Sequence, residues 1–251
     1  MQWEFVPIED TDLRGALLVV GVPSVGNVGP IAAGFVAEEL GLRLIGGLHN
    51  EAMTPAAVVK DGVVSSPVQV TASELACGLD GRCDKLVVLK SDVALPTETL
   101  MPLASMVSRW AKERGVGLVI GLEGYVPEAN DKDAGVLIAE SITGSKVAST
   151  LQAAPVQGAL LTGFNAALLV RANHDHLAAI GLFAPVETEE GDARAAARLL
   201  EVVDPLVPNI KLHPEELLRR AAEVEGQLQQ VRAQQQRSEQ RMQDQVQKGY
   251  V

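Results

Sequence analysis

Six polar side chains stand directly after short apolar runs of the chain, where an α/β protein commonly places its reacting groups. They are Asn27, Ser91, Asp92, Glu123, Asn165 and Glu187. Ligands of open α/β sheets bind outside the carboxyl ends of the strands, so a hydrolase or phosphorylase site could form there. Two carboxylates such as Glu123 and Glu187 could serve as acid and base if folding brings them together. The residue types favour the simpler role of helix caps and loop-end hydrogen bonds.

A nucleophile with its base is not recognisable in the sequence. The chain contains no G-x-S-x-G segment, and Ser24 has no histidine nearby in sequence. We therefore expect a protein without catalysis and without a cofactor. An enzyme that acts on a nucleoside or another phosphate-bearing small molecule at the strand-end loops is the alternative.

The segment Gly21–Gly29, GVPSVGNVG, follows the first apolar run and precedes a helical pattern. The spacing from Gly21 to Gly26 matches a P-loop, but Asn27 stands at the lysine position and Val28 at the Ser/Thr position. The groups that would hold the terminal phosphates and magnesium are therefore missing. The pattern favours a tight turn with close helix-on-strand packing. A ligand loop formed by Gly26, Asn27 and Gly29 is the less favoured alternative.

Cysteines and histidines give no metal pattern. His174 and His176 flank Asp175, an arrangement more typical of a polar surface turn than of a metal site. Cys77 and Cys83 lack the C-x-x-C spacing of zinc ligands. A local disulfide between them is compatible with the spacing, but two free thiols are favoured. We expect no bound metal.

The last three residues, Gly249-Tyr250-Val251, place an aromatic ring beside the terminal carboxylate. Such a ring can fill an apolar pocket while the carboxylate accepts charge-assisted hydrogen bonds from a lysine or from backbone amides. Taken alone, the tripeptide is more readily explained as chance. Whether the tripeptide has a function must be judged from the rest of the sequence.

Composition narrows the range of partners. Net charge is −11, aromatic residues make up 3% and apolar residues 47% of the 251-residue chain. An acidic chain poor in aromatic residues repels nucleic acid and anionic membranes. No apolar run reaches the roughly 18 residues that a membrane span needs. We expect a soluble, cytoplasmic protein with neither a nucleic-acid nor a membrane partner.

Short aliphatic runs alternate with amphipathic stretches over the first 208 residues. The predicted strands are Ala16–Gly21, Leu42–Gly47, Leu86–Leu89, Gly117–Leu122, Gly158–Thr162 and Ala178–Phe183. The predicted helices are Pro30–Leu40, Thr97–Arg114 and Asp192–Val203, with Thr97 or Asp192 as N-caps.

A predicted hairpin interrupts this alternation of strands and helices. Ala57–Lys60 and Val63–Ser65 flank an Asp-Gly turn, which makes the sheet mixed rather than wholly parallel. Short connections between strands and helices predict a three-layer α/β/α domain over residues 1–208.

Residues 209–251 predict a helical stalk and flexible tail. Apolar residues recur there at the spacing of a coiled-coil seam: Leu217, Ala221, Val224, Leu228 and Val231. Two heptads need a partner, either the body of the same chain or another subunit. A continuous helix from 215 to 246 would be roughly 48 Å long, and its outer half is rich in glutamine.

Several segments, in order, resemble the proteasome assembly chaperone family, especially its archaeal homologues. They are GVPSVGNVG at 21–29 with PIAA at 30–33, PVQGALLTG at 155–163, LFAPVET at 182–188, DARAAARLL at 192–200 and the helix at 217–225. The resemblance implies an α/β/α fold similar to that of nucleoside phosphorylases, no established enzymatic activity, and a homo-oligomer, with a tetramer favoured.

The resemblance also implies a C-terminal motif, a hydrophobic residue followed by tyrosine and any residue, that docks between α-subunits of the 20S proteasome. Tyr250 and Val251 match this motif, whereas Gly249 departs from it. We therefore expect an ATP-independent assembly chaperone or activator that binds 20S α-ring pockets through its tail. An oligomeric scaffold whose seam only joins subunits remains a third alternative.

Overall fold

The computed structural model describes residues 2–53, 55–78, 83–128, 134–188 and 191–207, together with 217, 219 and 226. Its strands are β1 (Glu4–Pro7), β2 (Leu17–Gly21), β3 (Arg43–His49), β4 (Val58–Lys60), β5 (Val63–Ser65), β6 (Val68–Cys77), β7 (Cys83–Ser91), β8 (Leu118–Tyr125), β9 (Leu137–Glu140), β10 (Ala154–Pro155) and β11 (Ala179–Pro185). Its helices are α1 (Val28–Glu39), α2 (Thr97–Glu113), α3 (Ser145–Ala148), α4 (Gly163–Asp175) and α5 (Ala193–Val203), and a 3₁₀ turn (Val25–Asn27) precedes α1.

Nine of the strands form one mixed sheet in the order β1-β3-β6-β7-β2-β8-β11-β9-β10. Its centre, β7, β2, β8 and β11, is parallel, and the whole of β2, LLVVG, is buried. Aliphatic residues along the entire strand are what a sheet covered on both faces requires. Because β3 and β7 both pair antiparallel with β6, the carboxyl ends of β3, β7, β2, β8 and β11 share one edge.

Helices cover both faces of the sheet. The pair α1 and α5 packs on one face, and the pair α2 and α4 packs on the other. Side chains alternate along the strands between the two apolar cores, so that Val19 and Ile120 lie under α1 while Leu18 and Val119 lie under α2 and α4. The predicted α/β/α architecture with a mostly parallel mixed sheet is therefore confirmed.

The hairpin prediction is also confirmed at the residues expected, but the hairpin lies outside the main sheet and is not what makes that sheet mixed. Strands β4 and β5 pair antiparallel around Asp61 and Gly62, which both have positive φ, as a tight hairpin turn requires. They form a separate two-stranded sheet. The antiparallel members of the main sheet are instead β1, β6, β9 and β10.

One predicted strand is wrong. The run 158–162, GALLT, is an exposed connection that leads into α4, and Leu160 is 92% exposed. A short apolar run cannot by its pattern alone be assigned to a buried strand. Helix α4 itself and strand β6, whose sequence VQVTASELAC mixes polar with apolar residues, were not predicted.

One of the two predicted helix caps is confirmed and the other is wrong. Asp192 caps α5 by accepting a hydrogen bond from the backbone N–H of Ala195 at 2.9 Å, as predicted. Thr97 is not a cap but the first residue of α2, and Pro96 occupies the N-cap position.

The favoured interpretation of the cysteines as free thiols is wrong. Cys77 and Cys83 form a disulfide that closes the connection from β6 to β7. The two residues lie directly opposite each other in the strand register, which the sequence spacing alone did not reveal.

Leu217 is 2% exposed and belongs to the apolar core under α1 and α5. Leu217 therefore contacts the body of its own chain. The other predicted seam residues, Ala221, Val224, Leu228 and Val231, lie outside the described residues, and the division at residue 208 stays a prediction. Among the described residues, no helix is both long and apolar enough to cross a membrane.

Candidate functional site

The glycine-rich segment Gly21–Gly29 lets α1 pack closely on the sheet at the carboxyl end of β2. A Cβ at Gly21 would collide with the backbone carbonyl of Gly29, and a Cβ at Gly29 would collide with the carbonyl of Leu122 in β8. The first turn of α1 therefore rests directly on the backbones of β2 and β8. This contact matches the favoured interpretation of the segment.

The turn before α1 is left-handed at two successive residues, Gly26 (φ 67°) and Asn27 (φ 47°). Gly26 faces Val186 and Thr188 of the loop after β11, where a Cβ would come within 2.7 Å of Val186. Asp192 ties the two loops together, since its backbone N–H donates to the Gly26 carbonyl at 2.8 Å. The segment Gly26, Asn27 and Gly29 is thus enclosed by protein atoms.

Glu123, at the carboxyl end of β8, reaches the first turn of α4. Its Oε2 accepts a hydrogen bond from the backbone N–H of Asn165 at 3.2 Å. Burial raises the pKa of the Glu123 carboxyl to about 7, against the smaller opposing effect of this hydrogen bond. Glu123 therefore changes its charge near neutral pH.

The side chain of Asn165 is 1% exposed and lies over Gly121, where any Cβ would collide with its Oδ1. Its Nδ2 is buried without a hydrogen-bond partner. Gly121 and Glu123 are two residues apart in β8 and so face the same side of the sheet. The Asn165 amide and the Glu123 carboxyl are consequently neighbours on the α4 side.

A buried ion pair closes the end of β7. The Nζ of Lys90 lies 2.6 Å from Oδ1 and 2.5 Å from Oδ2 of Asp92, and both residues are more than nine-tenths buried. Between them, the Ser91 hydroxyl donates to the Val93 carbonyl at 2.8 Å. Ser91 and Asp92 are therefore committed to local contacts.

Glu187 lies away from Glu123. It accepts hydrogen bonds from Arg194 at 3.4 Å and Arg198 at 3.3 Å, both on α5, whereas Glu123 contacts α4 in the opposite layer. The sheet separates the two carboxylates, so the structure does not bring them together as an acid and base pair.

Two further buried groups at this edge have no hydrogen-bond partner: the Ser24 hydroxyl and the Nδ2 of Asn50, the residue after β3. Sequence reasoning missed Asn50, Lys90 and the contact of Gly121 with Asn165. The burial of Lys90 could have been predicted, because this lysine directly follows the apolar run LVVL of a central strand.

Cavities lie at the opposite edge of the sheet. One of about 230 Å³ is lined by apolar and glycine residues that include Leu17, Leu118 and Cys83. Another, of about 190 Å³, is lined by ion-paired residues that include Glu9, Arg43 and Lys85. Within the described ranges, His, Cys, Asp and Glu form no group of three that could hold a metal ion.

The predicted docking residues Gly249, Tyr250 and Val251 lie outside the described residues. Their docking role stays a prediction from the sequence.

Comparison with known proteins identifies a family and several relatives of this chain. The model of the PAC2 family matches residues 18–232. An uncharacterised protein of Methanocaldococcus jannaschii is 21% identical over 225 residues, which cover 90% of this chain and 89% of the relative.

Two solved structures from Pyrococcus furiosus are similar. PbaA, an archaeal homolog of proteasome-assembly chaperone, is 24% identical with a TM-score of 0.73 and full coverage of both chains. PbaB, an archaeal proteasome activator, is 19% identical with a TM-score of 0.69, covering 92% of this chain and 99% of PbaB. At such identities the likeness establishes the shared fold.

Proposed function

The chain belongs to the PAC2 family, and we propose that it is an ATP-independent proteasome-interacting protein, an assembly chaperone or an activator, whose C-terminal tail docks into pockets of the 20S α-ring. The observation that carries the proposal is the family match over residues 18–232, supported by the fold shared with PbaA and PbaB.

The strand-end residues support a binding protein rather than an enzyme. Ser91 and Asp92 are held in local contacts, and Glu123 and Glu187 face opposite layers. The Ser91 hydroxyl donates to the Val93 carbonyl, and the buried Ser24 hydroxyl has no hydrogen-bond partner. This arrangement offers no nucleophile and base within hydrogen-bond reach.

The burial of Leu217 supports a tail that leaves the body from a fixed point. Residues 218–251 would span about 50 Å as an α-helix and more if partly extended. A tail of this reach can enter a pocket on a partner while the α/β/α body stays outside it.

Docking uses the two chemical groups at the chain end. The Tyr250 ring fills an apolar pocket, and the Val251 carboxylate accepts hydrogen bonds from a lysine or backbone amides between α-subunits. Each contact is weak alone. A homo-oligomer, for which the family resemblance favours a tetramer, presents several tails and gains avidity from their effective concentration.

Deletion of Tyr250 and Val251 tests the proposal. We expect the truncated protein to lose co-sedimentation with 20S particles while its oligomeric mass stays unchanged. Tyr250→Phe is the matched control, because it keeps the ring and the carboxylate and should retain binding. Undiminished binding by the truncated protein would contradict tail docking.

A second measurement separates the two roles. An activator raises peptide hydrolysis by assembled 20S particles, whereas an assembly chaperone raises the yield of particles from separate subunits. If full-length protein did neither and did not bind 20S particles, the proteasome partner itself would be wrong.

A further inference from the structure

The two sulfur atoms of the Cys77–Cys83 disulfide differ in their access to solvent. Cys77 is fully buried in the apolar core under α1 and α5, whereas Cys83 packs at the edge of that core and is partly exposed. Thiol–disulfide exchange begins when a thiolate attacks one of the two sulfurs, and access decides which sulfur is attacked. A small thiol from solution can therefore attack Cys83 but not Cys77.

The cavity of about 230 Å³ at the amino-terminal edge of the central strands provides room for this attack. Cys83 lines the cavity together with Gly78, Val147 and Leu206, and none of the described residues that line it carries a charge. An apolar cavity of about 150 Å³ already holds a molecule of the size of benzene. The cavity beside Cys83 therefore has room for a thiol with a compact, uncharged substituent.

The backbone carbonyl of Lys85 can accept a hydrogen bond from the thiol that such an exchange releases. Its oxygen lies 3.3 Å from the sulfur of Cys77 and 3.3 Å from the sulfur of Cys83. A disulfide sulfur has no proton to donate, whereas a thiol has one. A Cys77 thiol would consequently be buried with its donor paired, as buried polar groups require.

The disulfide is also coupled to the end of α5. Gly78, which follows Cys77, donates its backbone N–H to the carbonyl of Leu206 at 2.7 Å. Leu206 and Val207 are buried and come directly after α5. Because the disulfide closes the connection from β6 to β7, it restricts the backbone that carries the Gly78 donor. Opening the disulfide should therefore weaken this contact.

We propose that Cys83 is a modification site for small thiols with an uncharged substituent, and that its modification weakens the contact between Gly78 and Leu206. A thiolate in the cavity attacks the Cys83 sulfur. The bond between Cys77 and Cys83 breaks as the mixed disulfide on Cys83 forms, and Cys77 takes up the proton that the attacking thiol lost. The exchange needs no oxidant or reductant besides the thiol itself. It is independent of tail docking.

Exposure of the native full-length protein to 2-mercaptoethanol tests the proposal. The reaction is stopped with acid, and free thiols are alkylated with N-ethylmaleimide in denaturant at mildly acid pH. Trypsin cleavage after Arg82 separates the two cysteines into different peptides. Mass spectrometry should find the mercaptoethanol group on Cys83 and the maleimide on Cys77. A mercaptoethanol group on Cys77, or a disulfide that exchanges only after denaturation, overturns the proposal.

Two matched variants test the role of the cavity. Val147→Phe adds a ring at the cavity wall and should slow the exchange by about tenfold or more, because the exchange rate depends on access to the attacked sulfur. Val170→Phe is the control, since Val170 is 63% exposed on α4 and does not line the cavity. Its exchange rate should equal that of the native protein. Equal rates in both folded variants would show that the thiol reaches Cys83 by another route and would overturn the assignment of the cavity.

Amide hydrogen exchange measures the effect on Leu206. In the modified protein the amide of Gly78 should lose protection, while the amides within α4 should keep theirs. Unchanged protection at Gly78 would mean that the disulfide does not maintain this contact, and the proposed coupling would be wrong.

Discussion

The ammonium group of Lys90 is held between both carboxylate oxygens of Asp92, at 2.6 and 2.5 Å, in the interior at the end of β7. Removing one member of a buried pair leaves an uncompensated charge. This contact fixes the end of the strand that borders the glycine-rich segment.

Asp92→Ala should therefore lower the free energy of unfolding by about 3 to 5 kcal/mol. Glu9→Ala is the matched control, because it removes the exposed pair with Arg43 and should change stability by about 0 to 1 kcal/mol. Urea unfolding of both variants checks the difference. A similar small loss in both would mean that the Lys90 charge is compensated by other groups.

The raised pKa of Glu123 makes stability depend on pH. The folded state binds the proton more tightly than the unfolded state, whose carboxyl has the ordinary value of 4.5. The stabilisation is fully present below about 4.5 and is lost as pH rises through about 7. Over this window Glu123 should lower the free energy of unfolding by on the order of 2 to 3 kcal/mol.

Unfolding of Glu123→Gln across the same pH range isolates this contribution. The variant has no titrating group at that position, so its stability curve should lose this component of the slope. Parallel curves for the two proteins would contradict the raised pKa.

Gly29 is a site where one methyl group should disturb packing. An alanine Cβ would collide with the backbone carbonyl of Leu122, so α1 must shift on the sheet. We expect Gly29→Ala to cost about 1 to 3 kcal/mol of unfolding free energy. Gly135→Ala is the control, because open space surrounds that glycine, and it should stay within about 0.5 kcal/mol.

The Cys77–Cys83 disulfide should contribute about 2 kcal/mol, as expected for a short closed loop. Dithiothreitol should lower the unfolding midpoint of the native protein by a few degrees. The double variant Cys77→Ala/Cys83→Ala should already unfold at the lower temperature and show no response to the reductant.

The sequence pattern predicted the central strands because aliphatic runs such as LLVVG occur where both sheet faces are covered. It mistook residues 158–162 for a strand, since composition does not reveal that Leu160 is exposed. It selected Glu123 and Asn165 separately as strand-end polar residues. Their contact joins residues 42 apart in sequence and depends on α4, which was not predicted.

The tail offers a direct test of the C-terminal motif that the family resemblance implies. Gly249 stands where the motif implied by the resemblance has a hydrophobic residue, so under the proposed docking Gly249→Leu should add apolar burial. A gain on the order of 1 to 2 kcal/mol corresponds to roughly 5- to 30-fold tighter binding per tail. Affinity of C-terminal peptides for 20S particles, measured free of avidity, checks this value. Gln247→Leu is the matched control, because it adds the same side chain outside the motif and should leave affinity unchanged. Equal gains at both positions would indicate nonspecific hydrophobic binding. They would contradict a pocket that is specific for positions Gly249, Tyr250 and Val251.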